Sequence, residues 1–236
     1  MTKSLGTLYL FPVTLGECTL EDVLPKRNID LIKHIEFFIA ENAKEARAFL
    51  KQCDYADISK AQLSLINKHA KQEELASFIK PLLEGKNMGL MSDAGCPGIA
   101  DPGADIIKIA HQKNIQVVPL VGPSSIVLSI MASGFNGQNF AFNGYLPIDK
   151  PDRIKKIREL EQICVKHKQA QYFIETPYRN THLFDDLLKN LNPNTKLLVA
   201  TNISLAQENI VVKSVFDWKK NLAPEFYKMP TVFGIY

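Results

Sequence analysis

Cysteine is scarce in this chain of 236 residues, and the four present are scattered. Cys18, Cys53, Cys96 and Cys164 show no paired metal-ligand spacing, so a reduced cytoplasmic protein with free thiols is the expectation. The five histidines form no H-E-x-x-H or similar pattern, and no metal site is expected. Neither G-x-x-x-x-G-K-[ST] nor G-x-G-x-x-G occurs, and the lack of G-x-S-x-G argues against a hydrolase of that type. The first residues, "MTKSLGTLYL", are too short and too polar for a secretory signal. There is no internal repeat and no low-complexity tract. Charge is absent between Lys113 and Asp149, which raises the question of a membrane span. A spanning helix needs about 20 continuous apolar residues. Pro119, Gly122 and Pro123 break this stretch, so buried core elements are expected and no membrane partner.

What is present suits a sizeable core. The composition is 46% apolar, enough for one large domain or two small ones. The formal charge of +3 permits nucleic-acid binding without arguing for it. "GTLYLFP" (Gly6 to Pro12) and "HIEFFIAE" (His34 to Glu41) read as strands. Asn42 is placed to cap the helix "AKEARAFLKQC". Gln62 to Lys80 reads as a second helix, with an imperfect stripe of Leu65, Ile66, His69 or Ala70, Leu75, Phe78 and Ile79. "MGLMS" follows as a buried strand, and Asp101-Pro102 reads as a capped helix start. "IQVVPLV" is the next strand, and "GPSS" opens a helix that Gly134 closes. Pro147 and Pro151 bracket an expected linker. Beyond it, Ile154, Ile157, Leu160 and Cys164 line one helix face, and four more strands and a helix follow. The expectation is an α/β fold of two domains, 1–146 and 147–236, the second about half the size of the first. In a mostly parallel sheet, ligands sit beyond the carboxyl ends of the strands. Three loops fall there: Pro12–Gly16, Asp93–Gly103 and Gly122–Ser125.

One of these loops sits in the stretch "MGLMSDAGCPGIADPGAD", Met88 to Asp105. It is rich in Gly and Pro, as phosphate loops are, yet it holds three carboxylates and no Lys or Arg. Asp93, Asp101 and Asp105 would repel a polyphosphate. Asp101 suits a cap, and Asp105 a solvated first turn of a helix. Asp93 stands where the strand ends, so it either closes its own Asx-turn or faces a ligand with hydroxyls or positive charge.

"SDAGCPGIADPG", followed by "VVPLVGPSSIV", "FNGYLP" and "FIETPYR", resembles the tetrapyrrole methylase superfamily of class III S-adenosylmethionine (SAM) dependent methyltransferases. Within it, the chain is most similar to the branch that 2′-O-methylates a cytidine in small-subunit ribosomal RNA. The similarity runs from "GTLYL" to the last strand, "TVFGIY". The resemblance implies a two-domain α/β fold with SAM in the interdomain cleft, and a homodimer. It implies that Pro12, Ser92, Asp93, Ala94, Cys96, Ile99, Ser124, Ser125, Ile126, Thr176 and Ile203 border SAM. It also answers the charge question, because SAM carries a sulfonium and an ammonium but no phosphate.

The chain departs from the family's pattern in three places. The T-P-I-G-N loop is replaced by "FPVTLGE", E-D-T-R by "ENAK", and R-E-L-T-K by "TNISL". Those departures leave two rivals to ribosomal RNA methylation. One is methylation of a tetrapyrrole or another small molecule. The other is a SAM-binding module without transfer activity. Glu175 is one candidate for a proton acceptor and Glu41 a weaker one, and an ion pair between Glu175 and Arg179 is the simpler reading of Glu175. Tyr145 and Tyr178 suit stacking on a flat acceptor, with packing the expectation. The basic segment Lys150 to Lys168, which includes Arg153, suits RNA phosphates, with a solvated helix face the expectation.

Overall fold

The computed structural model describes residues 4–66, 72–220 and 228–236. The chain forms two compact units, Met1–Ser124 and Ser125–Tyr236. The first contains β1 (Thr7–Phe11), α1 (Leu20–Val23), α2 (Lys26–Ile32), β2 (Phe37–Ala40) and α3 (Ala43–Gln52). A short 3-10 turn leads to β3 (Gln62–Leu65), α4 (Gln72–Phe78) and α5 (Lys80–Leu83). It ends with β4 (Met88–Met91), α6 (Gly103–Gln112) and β5 (Gln116–Pro119). The sheet order is β3-β2-β4-β1-β5, and every pairing is parallel.

Adjacent strand residues face opposite sides, so a sheet buried on both faces must be apolar at consecutive positions. Leu8, Ile39 and Leu90 enter a core with α6 residues Ile106 and Ile109. Their near neighbours Phe11, Phe38 and Met91 enter a separate core with Ala46, Phe49 and Leu50 of α3. This is why "MGLM" reads as a continuous apolar run: all four residues are buried. Asn42 caps α3 as its sequence suggests, accepting from the Lys44 amide at 2.9 Å.

The second unit contains α7 (Ser125–Ser133), β6 (Phe140–Tyr145), α8 (Lys150–His167) and β7 (Ala170–Ile174). It continues with α9 (Asn180–Asn190), β8 (Lys196–Thr201), β9 (Asn209–Ser214), α10 (Val215–Lys220) and β10 (Thr231–Ile235). Its sheet order is β6-β7-β10-β8-β9, parallel only between β6 and β7. Phe173, Val199 and Phe233 form one core with Leu160 of α8 and Leu183 and Leu187 of α9. Among the described residues no helix is long and apolar enough to cross a membrane.

Four expectations need correction. The units divide at Ser124/Ser125, not at 146/147, because β6 pairs with β7 in the second sheet. They are therefore close to equal in length. Pro147 and Pro151 do not bracket a linker: Pro151 lies in the first turn of α8, where proline's missing N–H costs nothing, and Asp149 is the cap. The helix expected over Gln62 to Lys80 is a strand from Gln62 to Leu65, paired in register with β2, and α4 is described over Gln72–Phe78. At this sheet edge the hydrogen-bond ladder offered by β2 prevails over a weak helical stripe. His69 and Ala70 lie outside the described residues. Finally, Arg153 is not part of a solvated face. It is 8% exposed, and its Nε and Nη2 donate to Asp186 Oδ2 at 3.0 and 2.8 Å. Its Nη1 donates to the carbonyls of Pro147 and Ile148, so one guanidinium ties the β6–α8 turn to α9.

A buried charge without its partner is far costlier than no pair at all. Asp186→Ala is expected to lower unfolding free energy by about 3 kcal/mol or more. The double variant Arg153→Met/Asp186→Leu should recover most of that loss. Chemical denaturation of the three proteins compares them directly.

Candidate active site

Parallel pairing sends the loops after β1, β4 and β5 out of the same edge of the first sheet. Contacts among them follow. Val13 forms an isolated antiparallel bridge with Gly95, its amide donating to the Gly95 carbonyl at 3.0 Å. Cys96 Sγ donates to the Pro123 carbonyl at 3.4 Å. A Cβ built on Gly122 would lie 2.3 Å from Pro12 Cβ, so only glycine lets these loops approach so closely. Pro12, Ser92, Asp93 and Cys96 thus lie in or beside loops that leave one edge of the first sheet.

The chain between Ser92 and Gly103 is held by its own polar groups. Ser92 Oγ lies 3.1 Å from the Ala94 carbonyl and 3.2 Å from that of Gly95. The Asp101 carboxylate accepts from the Gly98 amide at 2.8 Å and from the Gly103 amide at 2.6 Å. It therefore caps α6 from one position ahead of the formal cap, Pro102. Burial raises the Asp101 carboxyl, while the amides of Gly103, Gly98 and Ile99 act in the opposite direction. Gly95 and Gly98 take left-handed backbone conformations, with φ of +71° and +83°.

A cavity of about 270 Å³ lies beside this loop. Its walls come from three places: Val13 to Glu17 after β1, one face of α3, and Ser92 to Ala94 after β4. Glu45, Ala46, Ala48, Phe49 and Gln52 supply the α3 wall. The lining contains the carboxylates of Glu17, Glu45 and Asp93 and no Lys or Arg. Asp93 does not close an Asx-turn. The Asn42 amide at the start of α3 donates to it, which lowers its carboxyl, but burial and then the charge of Glu45 raise it. A positive group placed here would relieve the repulsion between Glu45 and Asp93. The Cys96 thiol at the far side of the loop is pushed up by burial and then by Asp101, and so is held protonated.

The remaining expected residues belong to other segments. Ile99 is 49% exposed and is not part of the cavity wall. Ser124 ends the first unit, and Ser125 and Ile126 open α7 in the second. Thr176 follows β7 and Ile203 follows β8, which places both at one end of the second sheet. Ile203 is buried, between Asn202 and Ser204, whose φ values of 49° and 65° are unusual for residues with side chains. Glu175 is 5% exposed, and its Oε1 accepts from the Thr176 amide at 2.6 Å. The same oxygen takes Arg179 Nε at 3.0 Å and Nη2 at 2.6 Å. This is the ion pair with Arg179, and it gives Glu175 a positioning task at the end of β7. Tyr145 and Tyr178 are 50% and 70% exposed, which corrects the expectation that they pack.

Sequence reasoning missed the α3 wall. Glu45, Phe49 and Gln52 carry no motif. The available signal was positional: α3 leaves the same sheet edge as the loops, directly after β2.

No family model matches the chain. Individual proteins do. The ribosomal RNA small subunit methyltransferase I of Leptospira biflexa serovar Patoc is 30% identical over 209 residues, covering 87% of this chain and 81% of that protein. The protein of the same name from Streptococcus pyogenes serotype M6 is 32% identical, over 87% of this chain and 68% of its own length. Among solved structures, the methyltransferase CobJ matches with a TM-score of 0.65 at 15% identity, covering 98% of this chain and 93% of that one. The cobalt precorrin-4 methyltransferase CbiF matches with a TM-score of 0.61 at 12% identity, over 97% and 94%. These two similarities establish the class III, tetrapyrrole methylase-like fold. At the level of sequence, the chain belongs to the ribosomal RNA small subunit methyltransferase I family.

Proposed function

We propose that this chain transfers a methyl group from SAM to RNA of the small ribosomal subunit, with a ribose 2′-hydroxyl as acceptor. The observation that carries the cofactor is the cation-free, carboxylate-bearing cavity at the loop edge of the first sheet. The name of the relatives supports ribosomal RNA as the substrate class, and the ribose hydroxyl is what the family resemblance implies. The donor set fits a cationic cofactor and opposes a polyphosphate. Asp93 and Glu45 are the groups that would hold its positive charge, and Ser92 and Asp101 keep the loop in shape for it.

Bound SAM supplies an electrophilic methyl group on a sulfonium, which leaves as a neutral thioether. The protein's own contribution is then alignment and exclusion of water. Leu15, Phe49 and Ala46 form apolar walls suited to that exclusion. Arg179, fixed by Glu175, offers a directed donor for a phosphate or another acceptor group. A small-molecule acceptor is the second reading, and one observation favours it. The three carboxylates of the cavity repel a phosphate backbone that approaches them.

Calorimetric titration of the purified protein with SAM tests the cofactor. Binding is expected, weakened about tenfold (about 1.4 kcal/mol) by Asp93→Ala. No binding by the unaltered protein would overturn the proposal. Transfer of labelled methyl to deproteinised small-subunit RNA, set against a small-molecule extract, separates the two acceptors.

The pH dependence has a defined sign. A bound cation favours the ionised form of Asp93, so affinity falls as pH drops through the carboxyl's titration. Burial and Glu45 raise that titration above the usual range, near pH 4 for aspartate. SAM affinity is therefore expected to begin declining at a higher pH than an ordinary aspartate would give, and Asp93→Ala should flatten this part of the profile.

A further inference from the structure

Formal charge is divided unevenly along the chain. Met1–Ser124 has fourteen Lys and Arg against fifteen Asp and Glu, whereas Ser125–Tyr236 has fourteen against ten. Within the second unit, five lysines lie on elements whose ends meet near the start of β8, with Lys213 on the sheet face of Leu197 and Lys196 on the other. Lys189 lies in the last turn of α9, and Lys196 opens β8. Lys213 pairs in register with Leu197, next to Lys196. Lys219 and Lys220 end α10. The backbone joins these elements: the Val215 amide donates to the Thr195 carbonyl and the Phe216 amide to the Pro193 carbonyl, each at 2.9 Å. The corner sits at the start of β8. Ile203 lies beyond the other end of that strand, roughly 20 Å away at about 3.3 Å per residue.

Cations at helix ends have an ordinary explanation, because they complement the helix dipole. That explanation covers Lys189, Lys219 and Lys220. It does not cover Lys196 and Lys213, which are on strands. Nor does it cover Phe216, an aromatic ring 51% exposed to solvent. Lys220 Nζ lies 3.9 Å from the Phe216 ring centroid, and Lys213 Nζ lies 4.9 Å from that of Trp218. The carboxylates at this corner are engaged locally. Glu161 accepts from the Asn192 amide and the Thr195 hydroxyl, and Asp217 bonds Ser214.

We infer that this lysine-bearing corner, with the exposed Phe216 ring beside Lys220, docks the sugar-phosphate backbone of the RNA substrate. Lysines interleaved with an exposed ring fit a nucleic acid, which offers phosphates and bases for stacking together. The carboxylates of the first unit's cavity repel that backbone, and the second unit holds the chain's surplus of positive charge. The inference rests on the RNA reading proposed above.

The test uses the full-length protein, deproteinised small-subunit ribosomal RNA, and two double charge reversals. Lys196→Glu/Lys220→Glu alters the corner, and Lys108→Glu/Lys113→Glu alters α6 and its end in the first unit as a control for net charge. The corner variant should bind RNA at least about tenfold more weakly at moderate salt, with its log–log salt slope reduced by about 0.7–0.9 for each phosphate no longer neutralised. Its KM for RNA should rise while its kcat and its calorimetric affinity for SAM stay unchanged. Equal behaviour of the two variants, with RNA still methylated, would overturn the docking surface and leave the activity standing. Failure of the unaltered protein to bind or methylate RNA would overturn both. Binding of phosphatidylserine vesicles, and not of RNA, would overturn the inference in favour of a lipid surface.

Discussion

Five strands running in one direction leave no choice about where their following loops emerge. In the first sheet, β1 lies between β4 and β5, and the loops after all three meet at a single edge. The Val13–Gly95 bridge, the Cys96–Pro123 contact and the approach of Gly122 to Pro12 all follow from that arrangement. So does the acid-lined cavity, whose third wall is the helix leaving β2 at the same edge. A parallel sheet also needs cover on both faces. The apolar residues of the strands meet this need by alternating between the α3 core and the α6 core. The site is thus a by-product of strand direction, furnished with carboxylates.

Most of the first unit could be read from the sequence, and for physical reasons. Asn42 as a cap, the short buried β4 and the Asp101 turn are local signals, each decided within a few residues. Features decided at a distance were not legible. Arg153 looks like one more cation on a basic helix until Asp186, on another helix, takes it out of solvent. β3 resembles the start of a helix until β2 supplies a ladder for it. The expected boundary at 146/147 ignores that β6, ahead of it, pairs with β7, beyond it. The candidate site divides in the same way. The loop residues Ser92, Asp93 and Ala94 were identified from their motif, whereas Glu45 and Phe49 reach the cavity only because α3 packs where it does.

The two units carry different electrostatics, and each limits what the other must do. The first presents carboxylates to its cavity, where burial and mutual repulsion make a cation welcome. The second holds the surplus of lysine. A substrate that is itself polyanionic cannot find its attraction at the first unit's cavity. Under the function proposed above, recognition and chemistry fall to different surfaces, which should respond differently to salt.

The position of the break between the units has a consequence for dissecting the molecule. Severing the chain between residues 124 and 125 cuts no strand pairing, since each sheet is built wholly from one side of that bond. Severing it at 146/147 strips β6 from β7 and bares a long row of unpaired amides and carbonyls, an invitation to aggregate. A fragment carrying the glycine-rich loop should therefore end at Ser124. The same boundary marks where recombination between related genes could exchange one half while leaving the other half's hydrogen bonding whole.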